Sequence, residues 1–207
     1  MNGPTHDFWQ SRFAEGKLPW DRGAPNPQLL RWLADGTLAP GQRVVVPGCG
    51  QGWEVAALAA AGVATIGIDF APNALALCRR LLDHHGTSTD KAELLDANVL
   101  HWQPETPVDA VFEQTCLCAL YPDYWTAYAA QLHAWIKPGG KLLALFMQAP
   151  RPSAAEGFIE GPPYHGDINA MRALFPATLW DWPKPPYPRV RNDTIEREEL
   201  AVALVRK

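Results

Sequence analysis

The stretch Val44-Val45-Val46-Pro47-Gly48-Cys49-Gly50-Gln51-Gly52 constrains this chain more than any other. Three consecutive β-branched residues read as a short buried strand. The glycines after it allow a tight turn. Trp53 to Ala61 then carries Glu54, Ala56, Ala57, Leu58, Ala59 and Ala60, all helix formers, and stops at Gly62. A strand, a glycine turn and a helix in that order form a nucleotide-site arrangement. The glycines let backbone approach the ligand, and the helix start offers free N–H groups.

The alternation extends along the chain. Asp7 to Glu15 is a short amphipathic pattern and Asn26 to Leu33 a helix. Arg43 to Val46 and Ala64 to Asp69 are strands, and Pro72 to His85 is a helix with proline in its first turn. Ala92 to Leu95 and Val108 to Phe112 are further strands. Tyr124 to Ile136 is a helix closed by Lys137-Pro138-Gly139-Gly140, and Lys141 to Met147 is a fifth strand. Such alternation predicts an α/β fold around a parallel sheet with right-handed crossovers. Residues 148–190 differ. They hold nine of the 20 prolines, so loops and edge strands are expected there, with one short helix over Asp167 to Phe175; Leu200 to Val205 reads as a terminal strand.

Which ligand the turn holds follows from its spacing. Gly48 and Gly50 fit the dinucleotide pattern G-x-G-x-x-G, but Trp53 fills the third glycine position, which argues against NAD. The order Gly48, Gly50, Gly52 suits a cofactor without pyrophosphate, such as S-adenosylmethionine. Asp69 ends the second strand 21 residues after Gly48, the separation expected of a carboxylate that accepts from ribose hydroxyls. Asn98, after the third strand, is placed to reach an adenine.

Other classes are disfavoured. Lys plus Arg is 18 against 22 for Asp plus Glu, a formal charge of -4, so no basic stripe invites nucleic acid or an anionic membrane. No apolar run approaches the ~18 residues of a membrane span. Met1 to Phe8 is polar, unlike a secretory leader. Cys49, Cys78, Cys116 and Cys118 lack zinc spacing and read as reduced thiols of a cytoplasmic protein. The six histidines are scattered, so no metal site and no general base is expected.

On these motifs the chain resembles the class I S-adenosylmethionine-dependent methyltransferases. Within them it is similar to the thiopurine methyltransferase group, which includes the plant thiol/halide methyltransferases. The matching segments are Phe8-Trp9 with Phe13 and Trp20, Val46 to Gly50, Gly67-Ile68-Asp69 and Asn98-Val99 with Trp102. Cys118-Ala119, Leu132 to Gly140 and Gly161-Pro162-Pro163-Tyr164 also match. The resemblance implies a Rossmann-like domain spanning 1–207, with a mostly parallel seven-stranded sheet and helices on both faces. Residues 1–36 would form a helical lid and 148–190 a substrate-side region.

It also implies a cofactor shell for S-adenosylmethionine: Trp9, Phe13, Trp20, Gly48, Gly50, Asp69, Asn98, Val99 and Gln114. Three positions depart from the plant pattern: Phe13 stands for a tryptophan, Asn98 for an aspartate, and Gln114 for a tyrosine facing the reacting centre. Aromatic faces around a sulfonium supply ~0.5–2 kcal/mol of cation–π attraction. Cys118, Met147 and Tyr164 are the substrate-side candidates. Cys118 reads either as a small pocket residue or as a contact for soft metalloids, and Tyr164 equally as loop packing. The implied reaction is in-line methyl transfer to a small soft nucleophile, a thiol, thiopurine or halide, by a monomer acting on small molecules. The alternatives are metalloid oxyanion methylation and a non-catalytic protein with a degenerate cofactor site.

Overall fold

The protein is described here by a computed structural model over residues 3–87 and 91–207. Of the expected lid, residues 1 and 2 lie outside that range. Helix α1 (His6–Ala14) starts where the Thr5 hydroxyl accepts the Phe8 N–H, and α2 (Pro27–Ala34) where the Asn26 side chain accepts that of Gln28. Strand β1 (Arg43–Pro47) feeds the glycine turn and α3 (Trp53–Ala60). Then come β2 (Ala64–Asp69), α4 (Pro72–His84), β3 (Ala92–Asp96) and β4 (Val108–Gln114). Helix α5 (Trp125–Trp135) leads into β5 (Ile136–Gln148). After α6 (Ile168–Leu174) the chain adds β6 (Trp180–Asp181), β7 (Arg189–Asn192) and β8 (Arg197–Arg206).

The sheet has eight strands, where seven were expected: its order is β3-β2-β1-β4-β5-β8-β6, with β7 paired to β8 off this path. The strands from β3 to β5 pair in parallel, while β6, β7 and β8 join antiparallel. The extra strand comes from the proline-rich stretch, where Val190 and its neighbours find β8 as a template despite the prolines around them. The expected closing turn at Lys137 to Gly140 is also corrected. Pairing jumps from Val108↔Ile136 to Ala110↔Lys141, so residues 137–140 bulge opposite Asp109 within one long strand.

Helices cover both faces. On one, Val44, Val46 and Phe112 pack with Leu29 and Trp32 of α2, Val55 and Leu58 of α3, and Leu75 and Cys78 of α4. On the other, Val45, Val111 and Phe146 pack with Tyr128, Leu132 and Trp135 of α5 and Met171 of α6. Among the described residues no helix is long and apolar enough to cross a membrane. The parallel strands all end on one rim, and the antiparallel β8 begins at that rim. Side chains from the ends of β1, β2 and β4 and from the start of β8 therefore meet there, where open α/β sheets bind ligands.

Candidate active site

The glycine turn is built for close approach. Gly48, Gly50 and Gly52 have φ of +59°, +52° and +86°, the left-handed region that side chains avoid. A Cβ on Gly52 would lie 2.1 Å from Cys78 Sγ, so the turn is seated against α4. On Gly48 it would lie 3.2 Å from Cys116 Sγ, and on Gly50 3.6 Å from the Phe13 ring.

Asp69 stands beside the turn, buried. Its Oδ2 accepts the Gly50 N–H at 3.0 Å and its Oδ1 the Ala71 N–H at 2.9 Å. Burial pushes its carboxyl up, while the Ala71, Gly50 and Phe70 N–H groups hold it down. Each oxygen keeps a lone pair beyond these bonds, so the carboxylate has the acceptors that a ribose diol needs. Asn98 lies close in the fold: the neighbouring Ala97 N–H bonds to the Asp69 carbonyl at 3.1 Å. Asn98 Oδ1 accepts the Leu100 N–H at 2.9 Å, which commits the oxygen to a turn and leaves its amide N–H groups for a ligand. Val99 is buried in the α5-side core.

The aromatic trio comes together in one cluster. The Trp9 and Trp20 rings meet edge to face at 5.6 Å, and Phe13 and Trp20 at 6.0 Å. Phe13 packs against Ala71 and Ala74 at the start of α4. Gln10 of α1 also accepts the Asn73 N–H at 3.0 Å, which fixes α1 over that end of α4. Phe13 thus lies against Gly50 of the turn and Ala71 just after Asp69, with Trp9 and Trp20 packed on the same cluster.

Beyond Trp20 the chain becomes a strap whose polar residues sequence reasoning passed over. Asp21 Oδ1 accepts the Trp53 indole N–H at 2.9 Å and Oδ2 the Gln51 amide, so Trp53 is a donor at the start of α3. Arg22 reaches the Arg191 carbonyl at 2.7 Å and Glu199 at 3.5 Å. The Trp20 carbonyl accepts from Asn192 and the Asn26 amide donates to Glu199 at 3.3 Å. Glu54 accepts the Asn26 N–H at 3.0 Å, and burial raises its carboxyl.

Gln114 ends β4 on the strap side. Its Nε2 donates to both Glu199 oxygens, at 3.3 and 3.2 Å, which orients the amide. A cavity of about 60 Å³ lies here between Trp20, Arg22, Gln51, Trp53, Glu54 and Gln114. Glu199 is fully buried, and desolvation raises it to about 7 despite Arg22 and the amides. The preceding residue, Glu113, lines a second, smaller cavity together with Cys118, Met147 and Tyr164. All three substrate-side candidates are therefore brought together, buried, and joined by the Tyr164 N–H bond to the Cys118 carbonyl at 2.8 Å. The signal for Glu113 was its place at the carboxyl end of a predicted parallel strand. Nothing local marked Glu199, whose partner Arg22 is 177 residues away.

Residues 4–184 match the family described as Thiopurine S-methyltransferase. Thiocyanate methyltransferase 1 of Arabidopsis thaliana is 30% identical over 169 residues, which are 80% of this chain and 70% of that protein. Thiopurine S-methyltransferase of Pseudomonas putida is 27% identical over 183 residues, 81% of each. The solved magnesium protoporphyrin IX methyltransferase of Synechocystis with bound SAH superposes with a TM-score of 0.75 at 15% identity. It covers 97% of both chains, a likeness of fold.

Proposed function

We propose, on the premise that the chain belongs to the thiopurine S-methyltransferase family, that it transfers a methyl group from S-adenosylmethionine to a small soft nucleophile of the thiol class. The observation that carries this reading is one continuous rim. The left-handed glycine turn, Asp69 with spare acceptors, and the aromatic trio lie side by side on it. S-Adenosylmethionine, when bound, supplies an electrophilic methyl on a positively charged sulfur.

The chain's residues do the rest. Asp69 and the glycine turn hold the nucleoside end, with Asn98 and the Val99 backbone at the base. Trp9, Phe13 and Trp20 give the sulfonium aromatic faces. Gln114, held by Glu199, is oriented toward the cavity under Trp20. Cys118, Met147 and Tyr164 bound the acceptor side, where soft sulfur atoms suit a soft nucleophile. Holding donor and acceptor in line and excluding water can supply ~7–11 kcal/mol of the barrier. Residues 1–36 act as a lid, and the strap from Trp20 to Asn26 is its closure. Residues 148–190 select the acceptor through Tyr164. The four free, buried cysteines fit a reducing compartment such as the cytoplasm, and we read the chain as a monomer acting on small molecules.

The test is transfer of labelled methyl from the cofactor to a thiol, a thiopurine, thiocyanate and iodide, measured side by side. Transfer to at least one of them is expected. Tight cofactor binding without transfer to any acceptor would leave the site as a binding site only and refute the reading.

A further inference from the structure

Glu113 poses a problem that its fold position does not solve. Its carboxylate is 2% exposed, and Oε1 accepts the Leu117 N–H at 2.6 Å. That bond starts the short 3-10 turn Leu117–Ala119, but an uncharged side chain would serve as well. Among the described residues no cation is paired with Glu113; Arg22 is engaged with Glu199 instead. Burying an unpaired carboxylate costs several kcal/mol unless it is neutralised. The cavity it faces has apolar walls of Leu117, Met147 and Phe146.

The position relative to the rim matters equally. Gln114 faces the cavity under Trp20 and Glu113 the cavity bounded by Cys118 and Tyr164, so the last two residues of β4 serve one chamber each. Cys116 joins them: it packs against Gly48 of the glycine turn, and its N–H faces the Glu113 carboxylate. The second chamber holds about 10 Å³, the lower limit for one water-sized group, so only the S–H end of an acceptor would reach in toward Glu113 as the Met147 and Tyr164 side chains give way.

We propose that Glu113 is the proton acceptor of the methyl transfer, and that the acceptor substrate is a neutral thiol whose S–H end lies against it in the chamber of Cys118, Met147 and Tyr164. This rests on the methyltransferase reading above. As the thiol sulfur forms its bond to the methyl carbon, its proton passes to the Glu113 carboxylate. The electron pair of the breaking carbon–sulfonium bond returns to the departing sulfur, which becomes a neutral thioether. One positive and one negative charge disappear together. Glu113 is left as a carboxylic acid and returns its proton to water.

The groups facing Glu113 are consistent with that role. Burial, with a smaller push from the like charge of Glu199 on β8, raises the Glu113 carboxyl to about 7. The Cys116 and Cys118 thiols and the Tyr128 hydroxyl of α5 are pushed up by burial and by the Glu113 charge, so they stay protonated and do not compete as nucleophiles. Burial likewise raises Tyr164.

The test compares Glu113→Gln with the wild type on 2-mercaptoethanol and on thiocyanate, an anion with no proton to lose. The amide keeps an acceptor for the Leu117 N–H. Thiol turnover is expected to fall ~100-fold or more, the usual worth of a general base, and thiocyanate turnover to stay within a few fold. Equal loss on both acceptors in a variant with unchanged circular dichroism, or no loss on the thiol, overturns the proposal. Should the variant not fold, the wild-type pH profile decides. kcat/KM for the thiol should level off near pH 7 while that for thiocyanate stays flat; a rise that continues to the thiol's own pKa overturns it. Infrared titration of the protein without substrates gives an independent reading, since the variant should lose a carboxyl band that titrates near pH 7. A wild type that methylates none of thiol, thiopurine, thiocyanate and iodide would instead refute the methyltransferase reading, and this proposal with it; one that methylates thiocyanate or iodide but no thiol or thiopurine overturns this proposal alone.

Discussion

Gly52→Ala is a severe test of how the glycine turn is seated. At φ +86° an alanine meets a backbone penalty of ~1–2 kcal/mol. Its Cβ would also lie 2.1 Å from Cys78 Sγ and 3.0 Å from Cys78 Cβ, in a helix that is packed on its other side. Displacing that contact costs ~1–3 kcal/mol. Loss of unfolded-chain freedom returns ~0.4–1 kcal/mol. The net expectation is a destabilisation of about 2–4 kcal/mol, read by urea unfolding followed through tryptophan fluorescence. The decisive measurement is the same substitution in a Cys78→Ala background. There the 2.1 Å contact is gone while the positive φ remains, so the cost of Gly52→Ala should fall by about 1–2 kcal/mol. Equal costs in the two backgrounds would show that Cys78 does not set the seat of the turn. A cost under about 1 kcal/mol would refute the reasoning altogether.

Asp21→Ala removes the acceptor for Trp53 and Gln51; at ~1.5–3 kcal/mol for a hydrogen bond to a charged group, cofactor release measured by stopped flow should quicken at least 10-fold. An unchanged release rate would mean that the strap does not hold the lid. Stability should fall as pH rises from 5 to 8, because Glu113 and Glu199 are raised from 4.5 to about 7. Their contribution is complete below 4.5 and is lost as pH climbs through about 7. That shift corresponds to about 3 kcal/mol for each carboxyl. Glu54 and Asp69, also raised, act in the same direction, and His133, lowered by burial, opposes them. Urea unfolding of Glu199→Gln at the two pH values should show a smaller drop than the wild type; a wild type more stable at pH 8 would refute the assignment.

Local signals made the parallel half of the fold legible. β1 to β4 and α1 to α5 begin and end within a residue or two of where periodicity, glycine and proline put them. The failures have physical causes. Lys137-Pro138-Gly139-Gly140 carries honest turn chemistry, but it bulges out of a strand instead of ending a helix, because Val108 pairs with Ile136 before it. β6 and β7 are too short, and too flanked by proline, to show a period of their own, and exist because β8 offers them a partner. In the site, the glycine turn and Asp69 were legible as spacings, while the aromatic trio was suggested only by the family resemblance. Glu199 was not, since its role depends on an antiparallel strand that starts where the parallel ones finish.

That antiparallel strand has a consequence for how the protein is made. During synthesis residues 1–36, the glycine turn, Asp69 and β4 all emerge before residues 197–206. Until β8 slots in between β5 and β6, Gln114 lacks its anchor and Arg22 its counter-charge. A nascent chain that has already formed the rim of the glycine turn and Asp69 therefore still lacks the Glu199 contacts beside it. The glycine turn and Asp69 can thus take shape early, and a strand synthesised well after them completes the contacts around Gln114 and Arg22.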